Sequence, residues 1–293
     1  MFNSYAIADF VREVNPTIHF HINRLDKMPP RPPHIVCPHK HLFYELVLVL
    51  AGETIQVVDY QTYTLKKDTL FFISPGQLHF WHKSDTPSIR GYRLLFTEQF
   101  FIENGHDPSF LFKLVYLDNV YQNPYLDFSK QEDALIFDYF DLLYKEFHRA
   151  HSNTKALQSL LFLMLSEIQR LFEQQMNLPQ THYLVLFKTF IQLLEKHFAE
   201  KWMVSDYAKS LYITPRQLNR ITQSIANQSV INIIQNRIIL ESKRLLTFSD
   251  LSVGAISEQL GFEDAAYFAR SFRKSTDCSP SDFRIKMHDK CKL

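Results

Sequence analysis

Two groups of side chains in this 293-residue chain have the types and spacing to do chemistry. The first is His39, His41 and Glu45, which share strand parity with Phe43 between them; His79 follows the turn Ser74-Pro75-Gly76, and Trp81 shares its parity. Imidazole and carboxylate gathered at one place can ligate a first-row metal or hydrogen-bond a polar small molecule. The second group is Arg216, Asn219, Arg220 and Gln223, spaced along one side of a helical pattern whose other side carries Leu218, Ile221 and Ile225. Arg pairs bidentately with guanine and Asn with adenine, at about 1–3 kcal/mol of discrimination each, so these residue types suit the reading of base edges.

The elements that must position these groups differ along the chain. From about Ile18 to Phe96 the pattern is β-like. Leu46 to Leu50 reads as a buried strand and Ala51-Gly52-Glu53 as a turn. Thr54 to Tyr60, Tyr63 to Leu65, Thr69 to Ile73 and Arg90 to Phe96 are further short strands, and even spacing of this kind suggests a barrel or jelly roll. Five prolines between Lys27 and Pro38 imply an extended approach to the first long strand. Beyond Glu98 the period becomes helical. Leu135, Tyr139, Leu142, Leu143 and Phe147 predict one helix between Ser129 and Ala150. Leu157, Leu160, Leu161, Met164, Ile168, Leu171 and Phe172 predict a second, with Asn153 as its N-cap. Asn177-Leu178-Pro179 reads as a linker.

The last part carries two helix–turn–helix patterns. A short helix from Val204 to Leu211 is followed by Thr214 as N-cap and Pro215 at the first helical position, where a missing N–H costs nothing. The helix Pro215 to Ala226 comes next. The second pattern runs from Val253 to Leu260, turns at Gly261-Phe262, and resumes behind Asp264 as Ala265 to Ser275. It buries Phe268 and Phe272 and exposes Ala265, Ala266, Ala269, Arg270, Arg273 and Lys274. One long helix, Val230 to Thr247, joins the two.

The stretch AISEQLGFEDAAYFARSFRKSTDCSPSDF, Ala255 to Phe283, resembles the signature of the AraC/XylS family of bacterial transcription regulators. Leu260-Gly261-Phe262, Tyr267-Phe268, Arg270, Phe272-Arg273-Lys274, Ser279-Pro280 and Phe283-Arg284 carry the match. Leu218-Asn219-Arg220, Arg237 and Lys243-Arg244-Leu245-Leu246 resemble the family's other half. The resemblance implies two reading helices in successive major-groove segments. Arg216, Asn219 and Arg220 would face bases in the first; Ala265, Ala266, Ala269 and Arg270 would do so in the second. Thr214, Gln223, Arg273 and Lys274 would hold the DNA backbone. The first unit should supply most polar readout, since alanine offers only methyl contact with thymine. Thr222 stands where the family usually has an aromatic. Asn227 and Asp277 replace the glycines that usually follow each reading helix, and both residue types tolerate the left-handed cap conformation.

His39-Lys40-His41, Glu45 and Gly52, with Pro75-Gly76 and His79, resemble the two cupin motifs H-x-H-x3-E-x6-G and P-G-x2-H. In metal-dependent cupins three His and one Glu hold one metal, which here would be His39, His41, Glu45 and His79. The enzyme motif's preceding Gly is Pro33 and its following Asn is Lys83. A pocket lined by His39, His41, Phe43, Glu45, His79 and Trp81, with no required cofactor, is the expected use; a divalent metal is the alternative.

Composition narrows the class. A hydrophobic share of 46% with 22% charged residues fits an ordinary globular chain. No run approaches a membrane span, Asp9, Arg12 and Glu13 interrupt the N-terminal segment, and three scattered Cys make a poor disulfide framework. Residues 180–293 hold 16 Lys+Arg against 11 Asp+Glu, and the preceding residues 16 against 20, so the last part is the basic one. The expectation is a multi-domain α+β protein: a cupin-like barrel or jelly roll in residues 1–100, a helical dimerisation region in 101–179, and an all-α tandem helix–turn–helix domain in 180–293. It would be a cytoplasmic, non-enzymatic, ligand-responsive activator. Its partners would be promoter DNA, a small-molecule effector, RNA polymerase and a second copy of itself, with no membrane. The competing readings are a metal-dependent cupin enzyme with a DNA-binding module, and a constitutive DNA binder whose barrel only dimerises.

Overall fold

The computed structural model describes residues 4–11, 18–28, 32, 35, 38–82, 89–102, 109–114, 116–117, 125–129, 135–176 and 181–291. Residues 2–178 form one compact unit and residues 179–293 another. The linker expected at Asn177 to Pro179 and most of the proline-rich approach to the barrel lie outside the described residues.

The first unit is built on antiparallel strands. A five-stranded sheet takes the order β10 (Tyr125–Asp127), β7 (Thr69–Ile73), β4 (Tyr44–Ala51), β9 (Arg90–Phe96), β2 (Phe20–Arg24). A three-stranded sheet takes the order β6 (Gln61–Lys66), β5 (Glu53–Val58), β8 (His79–His82). The short strands β1 (Ser4–Tyr5) and β3 (Lys40–His41) pair in parallel, and His39 bridges His79. Register explains the two faces of β4. Glu45 lies opposite Leu95 and Ile73, and Val47 lies opposite Arg93 and Phe71, so these side chains share the inner face. There Val47, Val49, Phe71 and Ile73 pack with Val58 and Leu65 of the smaller sheet. Gly91 lets β9 cross the bulge in β4, because a Cβ there would overlap the Leu48 carbonyl oxygen.

Helices cover the outer face. After α1 (Ile7–Phe10), α2 (Glu98–Ile102) and α3 (Ser109–Lys113) come α4 (Ile136–Phe147) and α5 (Thr154–Met176). Tyr92 stacks on Phe140 of α4 at 5.8 Å, and Phe72 meets Phe172 of α5 at 5.8 Å. Asn153 caps α5 as expected, accepting from the N–H groups of Lys155 and Ala156 at 3.0 and 3.3 Å. The buried stripe of α4 differs from the expected one. Ile136, Phe140 and Leu143 are fully buried, whereas Leu135 and Leu142 are about half exposed. Two adjacent apolar stripes compete on this helix, and the one bearing Ile136 and Phe140 meets the sheet.

The second unit is helical: α6 (Thr181–His197), α7 (Val204–Ser210), α8 (Pro215–Ala226), α9 (Val230–Phe248), α10 (Val253–Gln259), α11 (Ala265–Thr276) and α12 (Pro280–Cys291). Thr214, Ser229, Ser252 and Asp264 cap α8, α9, α10 and α11 through their side-chain oxygens. Asn227 at φ 52° and Asp277 at φ 60° close α8 and α11 in the left-handed conformation expected of them. Leu218, Ile221, Thr222, Phe268 and Phe272 are buried, so Thr222 fills its core position and returns its hydroxyl to the Asn219 carbonyl at 3.1 Å. Arg237 of α9 is buried over the Phe198 ring at 4.0 Å and pairs with Glu195 at 2.7 Å and Glu241 at 3.0 Å, fastening α6 to α9. Arg284 of α12 donates to the carbonyls of Leu246 and Leu251 at 3.1 and 2.5 Å. These two arginines of the sequence signature are therefore braces of the fold.

Candidate nucleic-acid interface and ligand cavity

Helix α8 presents Arg216, Asn219, Arg220 and Gln223 to solvent, and α11 presents Ala265, Ala266, Arg270, Arg273 and Lys274. Arg216, Arg220, Arg273 and Lys274 make no ion pair among the described residues, so their charges are open to phosphates or bases; Arg270 lies 3.7 Å from Asp264. Ala269 is half-buried. Two side chains have local duties. Asn219 Oδ1 accepts the Val230 N–H at 3.3 Å, tying α8 to the start of α9. The bidentate adenine contact expected of Asn219 would have to share that oxygen, whose second lone pair is still available. The Thr214 hydroxyl accepts from the Gln217 N–H at 3.2 Å and donates to Gln217 Oε1 at 3.0 Å, so a phosphate contact by Thr214 competes with the cap. Tyr267, exposed on α11 beside Ala266, is not singled out by spacing.

In the first unit the His and Glu side chains converge as parity suggests. His41 Nε2 lies 3.4 Å from Glu45 Oε2, His79 Nε2 lies 4.0 Å from it, and the His39 and His79 rings are 4.5 Å apart. The decisive neighbour is Arg93, whose Nε and Nη2 donate to the two Glu45 oxygens at 2.8 and 2.9 Å. Burial alone would raise the Glu45 carboxyl; the Arg93 guanidinium and the His41 contact hold it well below the usual carboxylate range. Burial also lowers His41, and it puts His79 well below an ordinary imidazole.

A divalent metal does not fit these residues. The ligand atoms of His41, Glu45 and His79 lie within 4.8 Å of one another, but His39 falls outside that group. Both Glu45 oxygens accept from a guanidinium, whose charge would repel a cation in the same place.

Beside this cluster lies a cavity of about 280 Å³. Of the six residues expected to line it, His39, His79 and Trp81 do so. His41, Phe43 and Glu45 are fully buried and do not. Phe43 stacks flat on His41 at 4.0 Å and packs with Tyr5, Ile7, Phe10, Ile35 and Leu95. The rest of the lining includes Phe10, Asn23, Leu25, Met28, Ile89 and Arg93. Spacing points to none of these. Arg93 has one visible signal: it is a charge set among the apolar residues 92–96 of β9, which calls for a buried counter-ion.

Against known families, residues 31–165 match a model described as an AraC-like ligand-binding domain, and residues 207–286 match a helix-turn-helix domain. The chain belongs to the AraC/XylS family. This AraC/XylS protein is thus a DNA-binding transcription regulator with a ligand-binding domain. It is 26% identical over 260 residues to the HTH-type transcriptional regulator YfiF of Bacillus subtilis (strain 168), covering 86% of this chain and 79% of the relative. It is 24% identical over 263 residues to the HTH-type transcriptional activator RhaS of Escherichia coli O81 (strain ED1a), covering 87% of this chain and 90% of the relative. Among solved structures, ToxT of Vibrio cholerae aligns over 92% of this chain and 98% of its own, at 14% identity and a TM-score of 0.43. Among the described residues no helix of this AraC/XylS regulator is long and apolar enough to cross a membrane.

Proposed function

We propose that this regulator is a ligand-responsive activator that reads promoter DNA with α8 and α11 and receives a small effector in the barrel cavity. Arg216 and Arg220 would carry the polar readout. Ala265, Ala266 and Arg270 would face bases in the second groove segment, and Gln223, Arg273 and Lys274 would hold phosphates. The observation that carries the reading is the exposed pair Arg216 and Arg220, without ion-pair partners among the described residues, on a helix capped at both ends. Residues 1–100 would serve as the sensor, 101–179 as the region joining two copies, and 180–293 as the reader. RNA polymerase is the expected further partner and the cytoplasm the expected location.

An effector regulates only if it binds one arrangement of the protein more tightly than another, so affinity for the cavity must differ between states. The competing metal-dependent enzyme loses its carboxylate ligand to Arg93. The test is selection from a random duplex DNA library at physiological salt, by the purified full chain. A motif with two half-contacts about one helical turn apart is expected. Folded protein that enriches no sequence, with or without cell extract as a source of effector, overturns the reading.

A further inference from the structure

The cavity has a polar end whose hydrogen-bonding inventory can be worked out atom by atom. Arg93 is the one lining residue with a permanent charge among those described, and Glu45 already balances it. Its Nη1 makes no hydrogen bond among the described residues, so it offers donors. His79 Nδ1 stands 3.1 Å from the Gln77 carbonyl, which can only accept, so Nδ1 carries the ring proton. With the ring neutral, Nε2 is left as an acceptor. Asn23, the residue that faces Arg93 across the β2–β9 pair, also lines this end, but its Oδ1 is fully buried and not open to the cavity. The remaining walls include Phe10, Leu25, Met28, Trp81 and Ile89.

From this we infer that the cavity selects an uncharged, hydroxyl-bearing small molecule with an apolar remainder, and disfavours carboxylates and amines of the same skeleton. The inference rests on the reading of this cavity as the effector site. A hydroxyl both donates and accepts, so it can satisfy Arg93 Nη1 together with His79 Nε2. A carboxylate only accepts. It would set its lone pairs against the His79 Nε2 acceptor and would add a second negative charge beside Glu45. An ammonium would be set against Arg93. The volume is nearly twice the roughly 150 Å³ engineered cavity that holds benzene, so a ligand of about a dozen non-hydrogen atoms has room there.

The experiment uses four probes of one skeleton on the full chain: 2-phenylethanol, phenylacetate, 2-phenylethylamine and ethylbenzene. Binding is read by calorimetry and by ligand-observed NMR. The alcohol is expected to bind at least about tenfold tighter than either charged probe, and tighter than the hydrocarbon. Glu45→Gln leaves the Arg93 charge unbalanced, so in that variant the preference is expected to turn toward phenylacetate. Wild-type protein that prefers phenylacetate or the amine overturns the ligand class and leaves the cavity as a binding site. Equal affinity for alcohol and hydrocarbon overturns the polar-end inventory. No binding of any probe up to about 10 mM removes the cavity as a ligand site, and both readings fall together. The wild-type comparison decides the matter even if Glu45→Gln does not fold.

Discussion

Arg93 and Glu45 meet side-on inside the barrel, two hydrogen bonds of 2.8 and 2.9 Å joining a guanidinium on β9 to a carboxylate on β4. The pair is buried, so its two charges were taken out of water together and neither tolerates the loss of the other. Arg93→Met alone is expected to cost about 3–5 kcal/mol, because it leaves Glu45 uncompensated. Adding Glu45→Gln should return a large part of that. Urea unfolding of the single and double variants measures it; singles that simply add would show the pair to be uncoupled.

Arg216 and Asn219 stand one turn apart on α8, yet different outcomes are expected. Arg216→Ala should cost about 1–3 kcal/mol on the preferred DNA and relax the choice at one or two base pairs. Asn219→Ala should instead lower stability by about 1 kcal/mol, through the lost Val230 contact, and leave the selected sequence unchanged. Library selection together with thermal unfolding separates the two. If Asn219→Ala changes the selected bases, its role is readout after all.

Lys274 lies in the last turn of α11, exposed and without an ion-pair partner among the described residues. Lys274→Ala should weaken binding to every duplex by a similar factor and reduce the slope of log K against log salt by about one. A titration series at several salt concentrations, on specific and random DNA, reads both effects.

Acid should loosen the first unit. His21 on β2 is lowered to about 4 from 6.5, first by burial and then by the charges of Arg93 and His148. Below pH 6.5 the unfolded chain takes up a proton at His21 that the folded chain refuses until about pH 4. Its share of stability is therefore whole above 6.5 and is lost as pH falls toward 4, by about 3 kcal/mol in all. His41 and His79, also lowered, act in the same direction, and the lowered Glu45 adds a loss below its ordinary range. His21→Phe should flatten the dependence of the urea midpoint between about pH 7 and 5. An unchanged slope would place the acid sensitivity elsewhere.

The left-handed caps give a backbone test. At Asn227, φ is 52°, so Asn227→Ala should destabilise by about 1 kcal/mol relative to Asn227→Gly. The same ordering is expected at Asp277, where φ is 60°. Thermal unfolding of the four variants checks it.

Local signals made the second unit legible. Thr214 before Pro215, Asp264 before Ala265 and Ala266, and the Phe268 and Phe272 pair are all cap or period features that act within a few residues of themselves. The convergence of His41, Glu45 and His79 was also readable, because strand parity and one turn suffice to bring them together. Arg93 was not, since its partner is 48 positions away and only the pairing of β4 with β9 joins them. The Val230 contact of Asn219 was hidden for the same reason: the N–H it accepts from lies across the turn between α8 and α9. In α4, two adjacent stripes were both apolar, so the period alone could not choose the face that meets the sheet.

Gly261 sits at φ 80° in the turn between α10 and α11, where a Cβ would come within 2.6 Å of the Ala199 carbonyl oxygen, just past the end of α6. Lys201 and Glu263 pair at 2.9 Å alongside it. The turn of the second reading module is thus latched to the segment that leads into the first, while α9, about 28 Å long by its nineteen residues, spans between them. On the proposed reading, the helices α8 and α11 would act as the jaws of a caliper of set span. Where a promoter's half-contacts are spaced a base pair too wide, it would be the duplex that twists or bends to fit, and promoter strength would become partly a matter of how pliable the uncontacted bases are.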